Sequence, residues 1–250
     1  MSGLTNLIAK IRRKGLRGSL RVICERYLYY HWELVTVERP LALPIRCHIS
    51  PSRWPQVRIT SVLLPAFEKY YPEHLPAIRG LLDKGCHGSA HLDEDGNVIA
   101  MIWINERDYY DDQLYRCWIN LPENCIYQFA GECAQPVRGA GIAVLAQKLI
   151  WDEYLTRGYK STRAVVNMRN LPALQMHTRT GFEEVGESIH IYCLFRRLHF
   201  HRRETYTQPR LLHLRKKLQT KDISESSNFP IITWLTLGCF LLLKTSVAAE

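Results

Sequence analysis

None of the eight cysteines forms a CxxC pair, so a zinc ribbon or a thioredoxin-type dithiol has no support. No Gly-Lys-Ser or Gly-Lys-Thr follows a glycine run, which removes a Walker loop, and residue 144 is not the third glycine that Gly139 and Gly141 would need for a dinucleotide fingerprint. The N-terminal stretch MSGLTNLIAKIRRKGLRGSL breaks up its apolar residues with Lys and Arg and has no apolar core of signal-peptide length. The expectation is therefore a reducing, cytoplasmic compartment. Hydrophobic residues make up 46% and charged residues 23% of the 250, which excludes a disordered chain, a collagen-like repeat and a multi-span membrane protein.

Charge is present in excess and unevenly placed: 33 Lys and Arg face 24 Asp and Glu, a net of +9. Residues 1–30 carry seven bases and one acid, residues 196–221 nine bases and one acid, and residues 31–195 are slightly acidic, with 16 bases and 19 acids. A near-neutral centre between two basic arms reads as one folded domain with peripheral electrostatic contacts. The division expected is a basic amphipathic extension over 1–42, a folded domain over 43–200, a basic and polar linker over 201–228 and an apolar tail over 229–250. In the N-terminal arm, apolar residues at 4, 7, 8, 11, 16, 20, 23, 27 and 30 follow a helical stripe. Such a helix lies on anionic lipid, on nucleic acid or on its own domain. The tail's FPIITWLTLGCFLLL, residues 229–243, is uncharged but shorter than the roughly 20 residues that cross a bilayer. With Lys244 snorkelling it reads as a tail anchor with residues 196–221 as its positive flank; a buried or interfacial segment is the alternative.

The centre alternates helical and extended patterns. A helix is expected over 71–84, strands over 87–91 and 98–105 about the DEDGN turn, and a strand over 125–134. A helix over 141–156 stopping at Gly158, a strand over 161–166, and a helix from the cap Asn170 to Gly181 follow. EEVGE and SIHIYCLF are expected as two closing strands. The cluster Asp108, Tyr109, Tyr110, Asp111 and Asp112 reads as a loop, either solvated or at the mouth of a site for a cationic molecule.

The informative stretch is QPVRGAGIA, residues 135–143, after a strand and at the start of a helix. A glycine-rich turn there lets backbone N–H groups approach an anion, and the helix N-terminus adds a positive field. Arg138 brings a full charge to the mouth of the turn.

RGAGIA fits the Arg-x-x-Gly-x-Gly/Ala loop of the GCN5-related N-acetyltransferase superfamily, and the chain resembles that family from about residue 60 to 197. The second landmark is an Asn, a small residue three later and Gly-Phe eleven and twelve later, here Asn170, Ala173, Gly181 and Phe182. The resemblance implies an α/β (α+β) mixed sheet whose two central strands splay apart around acetyl-CoA. It implies that Arg138, Gly139, Ala140, Gly141, Ile142 and Ala143 hold the pyrophosphate. The strand edge of Glu132, Cys133, Ala134 and Gln135 would meet the pantetheine arm, with Asn170 and Ala173 beside it. Two departures stand out: Pro136 lies two residues before Arg138 rather than three, and His177 occupies the position where relatives often have the Tyr that protonates the leaving thiolate.

Acetyl transfer to an amine needs a base for a largely protonated ammonium and a proton for the departing thiolate. Glu132, on the strand entering the loop, is the best-placed carboxylate, or else a solvent-facing strand residue. His177, titrating near neutrality, could supply the proton, or is simply a helix surface residue. Tyr127 is a third catalytic candidate, with a core position as its alternative. Cys86, His87 and His91 have no fourth ligand in view, so no metal site is expected. The resulting expectation is an acetyl-CoA-dependent N-acetyltransferase acting on a primary amine, an amino sugar among the candidates, at an anionic membrane face. Nucleic acid is disfavoured because the basic arms lack interleaved aromatics. A non-catalytic acyl-CoA-binding or membrane-associated module is the alternative.

Overall fold

The computed structural model describes residues 28–195 and 197–211. Among these residues, eight strands form one sheet in the order β10-β9-β1-β8-β7-β4-β3-β2, and two short strands, β5 and β6, pair separately. The strands are β1 (Tyr29–Pro40), β2 (Gln56–Arg58), β3 (His87–Leu92), β4 (Val98–Asn105), β5 (Tyr109–Asp111), β6 (Cys117–Ile119), β7 (Cys125–Cys133), β8 (Ser161–Asn167), β9 (Glu183–Leu194) and β10 (Leu198–Thr205). The helices are α1 (Leu75–Asp83), α2 (Ile142–Thr156) and α3 (Leu171–Arg179). Every pairing in the large sheet is antiparallel except β7 with β8, which α2 joins as a crossover.

Local chemistry explains the punctuation. Asp93 Oδ1 accepts the Asp95 and Asn97 amides at 3.1 and 2.7 Å and so closes the β3–β4 turn. Strand β4, VIAMIWIN, is buried on both faces and forms the middle of the core. Asn170 Oδ1 accepts the Ala173 amide at 3.3 Å, which caps α3. At the other end of α3, Gly181 adopts φ 88°, the Phe182 amide reaches the His177 carbonyl at 2.9 Å and the Gly181 amide reaches Thr178 at 3.2 Å, a paired helix stop.

Several expectations are corrected. The sheet extends past both boundaries set for the folded centre. Strand β1, assigned to the N-terminal extension, lies between β8 and β9 with Leu34, Val35 and Val37 buried, and β10 continues to Thr205 with Leu211 buried beyond it. The 71–84 helix is a 3-10 turn at Pro72–His74 followed by α1. EEVGE and SIHIYCLF are one strand, β9, because Gly186 at φ 77° sits at a bulge where β9 slips against β1 between Val35 and Val37. The 108–112 cluster is not a solvated loop: Tyr109 and Asp111 are buried in β5, and Tyr109 packs on Tyr127 and Phe129. Most of the expected N-terminal helix and all of the expected anchor lie outside the described residues. Among those described, no helix is long and apolar enough to cross a membrane.

Candidate active site

Strands β7 and β8 pair only at Cys125–Ser161, Ile126–Thr162 and Tyr127–Arg163. Beyond that they part: β7 runs on to Cys133 along β4, and β8 runs on to Asn167 along β1. Gln128 sits at the fork, where its buried Oε1 accepts the Trp151 indole N–H at 2.8 Å and the Thr162 hydroxyl at 3.1 Å. Helix α2 is thereby tied to both diverging strands. Each strand then turns into a helix, β7 into α2 and β8 into α3, so both helix N-termini stand at the open end of the gap. That end carries a positive field and amides without helical acceptors.

The turn from β7 into α2 is a 3-10 segment, Gln135–Val137, then Arg138, Gly139 at φ 80°, Ala140 and Gly141 at φ 84°. A Cβ on Gly139 would meet open space, whereas one on Gly141 would lie 2.8 Å from Ile49 Cδ1. Among the described residues, the amides of Gly139, Gly141, Ile142 and Ala143 have no backbone acceptor, while the Ala140 amide is held by the Val137 carbonyl at 3.2 Å. These four donors and two left-handed glycines form a concave backbone cradle of the kind that takes a phosphate. The Arg138 side chain turns back over the turn, its Nε donating to the Cys133 carbonyl at 3.0 Å, instead of standing at the mouth.

The edge of β7 serves the gap at fewer positions than expected. The Ala134 amide donates to the Ile99 carbonyl at 2.7 Å, so it faces β4 and is spent. By strand alternation Cys133 turns its amide and carbonyl toward β8, into the gap. Gln135 is exposed and already in the 3-10 turn.

Glu132 is half-buried and shares the β4 face with Met101, its register partner. Burial pushes its carboxyl up to about 7, against the opposing pull of Arg138. Burial, reinforced by Glu132, lifts the Cys133 thiol to about 12. Tyr71, which no sequence motif marked, joins this cluster from the α1 side. Its hydroxyl donates to the Ile99 carbonyl at 3.0 Å, and burial, with Cys133 and Glu132 nearby, raises its pKa well above the ordinary phenol value.

The other two catalytic candidates are corrected. Tyr127 is buried between Tyr109 and Phe129, stacked 5.0 Å from the latter, with its phenol raised by burial; it is a core residue. His177 donates its Nδ1 proton to the Ala173 carbonyl at 2.8 Å and stands edge-on to Phe182, and burial takes its imidazole down to about 4. It is neutral at pH 7, and its one ring proton is committed to the Ala173 carbonyl, so it lacks the imidazolium proton that a thiolate would take. Asn170 and Ala173 stand at the start of α3, where Asn170 serves as the cap. Among the described residues, no group of three or more His, Cys, Asp or Glu is placed to hold a metal. His91 is occupied by the Trp54 carbonyl at 2.9 Å, and His87 by Tyr154 at 3.1 Å. A cavity of about 520 Å³ lies at the far end of α2, around Glu106, Arg157 and Tyr159. Its Glu106 carboxylate is already bonded to Tyr154, Tyr159 and Arg157, at 3.0, 2.7 and 2.6 Å.

No family model matches the sequence, and no curated protein matches it. Among solved structures the fold is similar to a GCN5-related glucosamine N-acetyltransferase region of a fungal multi-domain β-N-acetylglucosaminidase, at 18% identity and TM-score 0.49, over 74% of this chain and 23% of that one. It is also similar to a GCN5-related N-acetyltransferase from Sphaerobacter thermophilus, at 13% identity and TM-score 0.44, over 76% of this chain and 57% of that one. A GNAT-family acetyltransferase from Colwellia psychrerythraea is similar at 14% identity and TM-score 0.44, over 70% of this chain and 61% of that one. This chain spans less than two thirds of each of those three.

Proposed function

We propose that the protein is an acetyl-CoA-dependent N-acetyltransferase acting on a primary amine. The observation that carries this reading is the fork of β7 and β8, open at the end where the Gly139–Gly141 turn starts α2. A diphosphate suits the amides of Gly139, Gly141, Ile142 and Ala143, and an amide-bearing arm suits the Cys133 edge, which offers one N–H toward the gap. Bound there, acetyl-CoA supplies an activated acetyl thioester.

The chain's own part in the chemistry centres on Glu132. A carboxylate with a pKa of about 7 is a stronger base than an ordinary Glu and still largely ionised at slightly alkaline pH. Once the ammonium has lost its first proton to water, the neutral amine attacks, and Glu132 takes the second proton from the nitrogen as the N–C bond forms and the C–S bond breaks. Once protonated it is acid enough to return that proton to a thiolate, whose own pKa is about 8.5 for a simple thiol. One group thus covers both proton transfers, and the neutral His177 is not needed for either.

The test is calorimetric titration of the full chain with acetyl-CoA, followed by thiol release against a panel of amines in which amino sugars come first. Binding with thiol release dependent on an amine supports the proposal. Binding without release across the panel favours a non-catalytic acyl-CoA-binding module. No binding by folded protein overturns both readings.

A further inference from the structure

We infer that the face formed by the start of β1 and the β9–β10 hairpin is a docking surface for an anionic phospholipid bilayer. The inference goes beyond acetyl transfer and does not depend on it. Register places Tyr29 opposite Leu194, and Leu198 opposite Leu194 on the other side, so these three side chains share one face. Two residues further along, His31, Tyr192 and Phe200 continue the same face, with His31 stacked 4.6 Å from Tyr192. At the tip, the Phe195 amide donates to the Leu28 carbonyl at 2.7 Å, which sets these two exposed apolar residues side by side at the end of the sheet. Leu28, Tyr29, Phe195, Leu198 and Phe200 are between 45% and 62% exposed. Further along β1 the same face is buried, with Val35 and Val37 in one apolar cluster with Phe182 and with Leu174 of α3. Large exposed apolar side chains gathered at one corner mark a contact surface.

The charge around the corner selects the partner. Exposed Arg197 lies in the hairpin turn, Arg202 stands on the same face opposite His190, and Arg169 is near enough to His31 to depress its pKa, after the larger effects of burial and His190. The acids on the face are already engaged: Arg210 is ion-paired with both Glu33 and Glu204, and His190 Nε2 lies 3.3 Å from Glu204. Residues 1–27, which lead directly into Leu28, carry seven bases and one acid. A second copy would set Arg197 and Arg202 against a like-charged corner, and the chain's own first 27 residues would do the same. An anionic lipid surface instead accepts the aromatic and aliphatic side chains at its interface and pairs its headgroups with the arginines. The position is also consistent with the candidate site. Leu34 pairs with Asn167, the last residue of β8, so residues 29–33 project past the end of β8, at the end of the sheet where the fork opens.

The experiment is co-sedimentation of the full chain with phosphatidylcholine vesicles, with and without one third phosphatidylserine, at low and high salt. Two variants accompany it. The first, Phe195→Asn with Leu198→Ser and Phe200→Ser, removes the apolar corner; Phe195 already has φ 50°, which Asn tolerates. The second, Arg197→Glu with Arg202→Glu, reverses charge without touching the apolar groups. Near-ultraviolet circular dichroism confirms that each is folded. The expected result is binding that needs phosphatidylserine, weakens with salt, and falls about tenfold in both variants. Equal binding to neutral and anionic vesicles, no binding, or wild-type binding by both folded variants would overturn the inference. So would a wild-type dimer that the apolar variant turns into a monomer with no vesicle binding, because a second copy would then own the corner.

Discussion

Arg138 bonds back onto the strand it follows: its Nε donates to the Cys133 carbonyl at 3.0 Å. The guanidinium therefore spans the turn that starts α2 and lies close enough to Glu132 to hold that carboxyl below where burial alone would put it. One side chain thus touches both the turn proposed to hold a phosphate and the carboxylate proposed as the base.

Arg138→Ala should weaken acetyl-CoA about 10-fold, through loss of the bond that holds the turn to the Cys133 carbonyl and of the positive charge beside it. Calorimetric titration measures it. The same variant should raise the pKa of Glu132, which the pH profile of thiol release would report as a shift to higher pH.

Gly139→Ala and Gly141→Ala separate backbone strain from crowding. Both glycines are left-handed, but only Gly141 faces a neighbour, Ile49, at 2.8 Å from the added Cβ. Gly139→Ala should cost about 1 kcal/mol and Gly141→Ala about 2 kcal/mol in urea unfolding. Equal costs would mean that Ile49 moves aside freely.

The activity should rise with pH through about 7 as Glu132 ionises, and Glu132→Gln should remove that limb and lower the rate by about 10² to 10⁴. His177→Gln should leave the profile unchanged. Stability carries the opposite sign. Folding raises the Glu132 pKa, so the folded state binds its proton more tightly than the unfolded chain. The stabilisation from that proton is full below the ordinary carboxylate value and is lost as pH rises through about 7. Glu132→Gln should flatten this slope in chemical denaturation followed across that range.

Arg39→Met should destabilise the fold by about 3 kcal/mol, since it strands three carbonyls. Arg39 is fully buried, lies 4.0 Å over the Trp151 ring, and donates to Thr180 at 2.6 Å, to Pro40 at 3.0 Å and to Leu43. The Thr180 carbonyl belongs to the C-terminal end of α3, where a cation is favoured. Urea unfolding of the variant checks the value.

Local chemistry made much of the domain legible in the sequence. The Asp93–Asn97 turn, the Asn170 cap, the Gly181 stop and the glycine turn before α2 are set by residues within a few positions of one another, and their side-chain types admit few other conformations. Strand β1 was hidden because its first residues continue the apolar spacing of the basic arm, and only pairing with β8 and β9, more than 120 residues away, makes them a central strand. The parting of β7 from β8 is likewise a tertiary event: nothing in CIYQFAGEC says where pairing stops, and Gln128 marks the fork only through Trp151 and Thr162. Protonation followed the same division. Glu132 and His177 are ordinary titrating residues in a sequence, and desolvation by distant parts of the chain moves one up to about 7 and the other down to about 4. The turns, caps and glycine loop are short-range and follow from neighbouring residue types; burial and strand partnership depend on what packs from afar, and they set the protonation of Glu132 and His177.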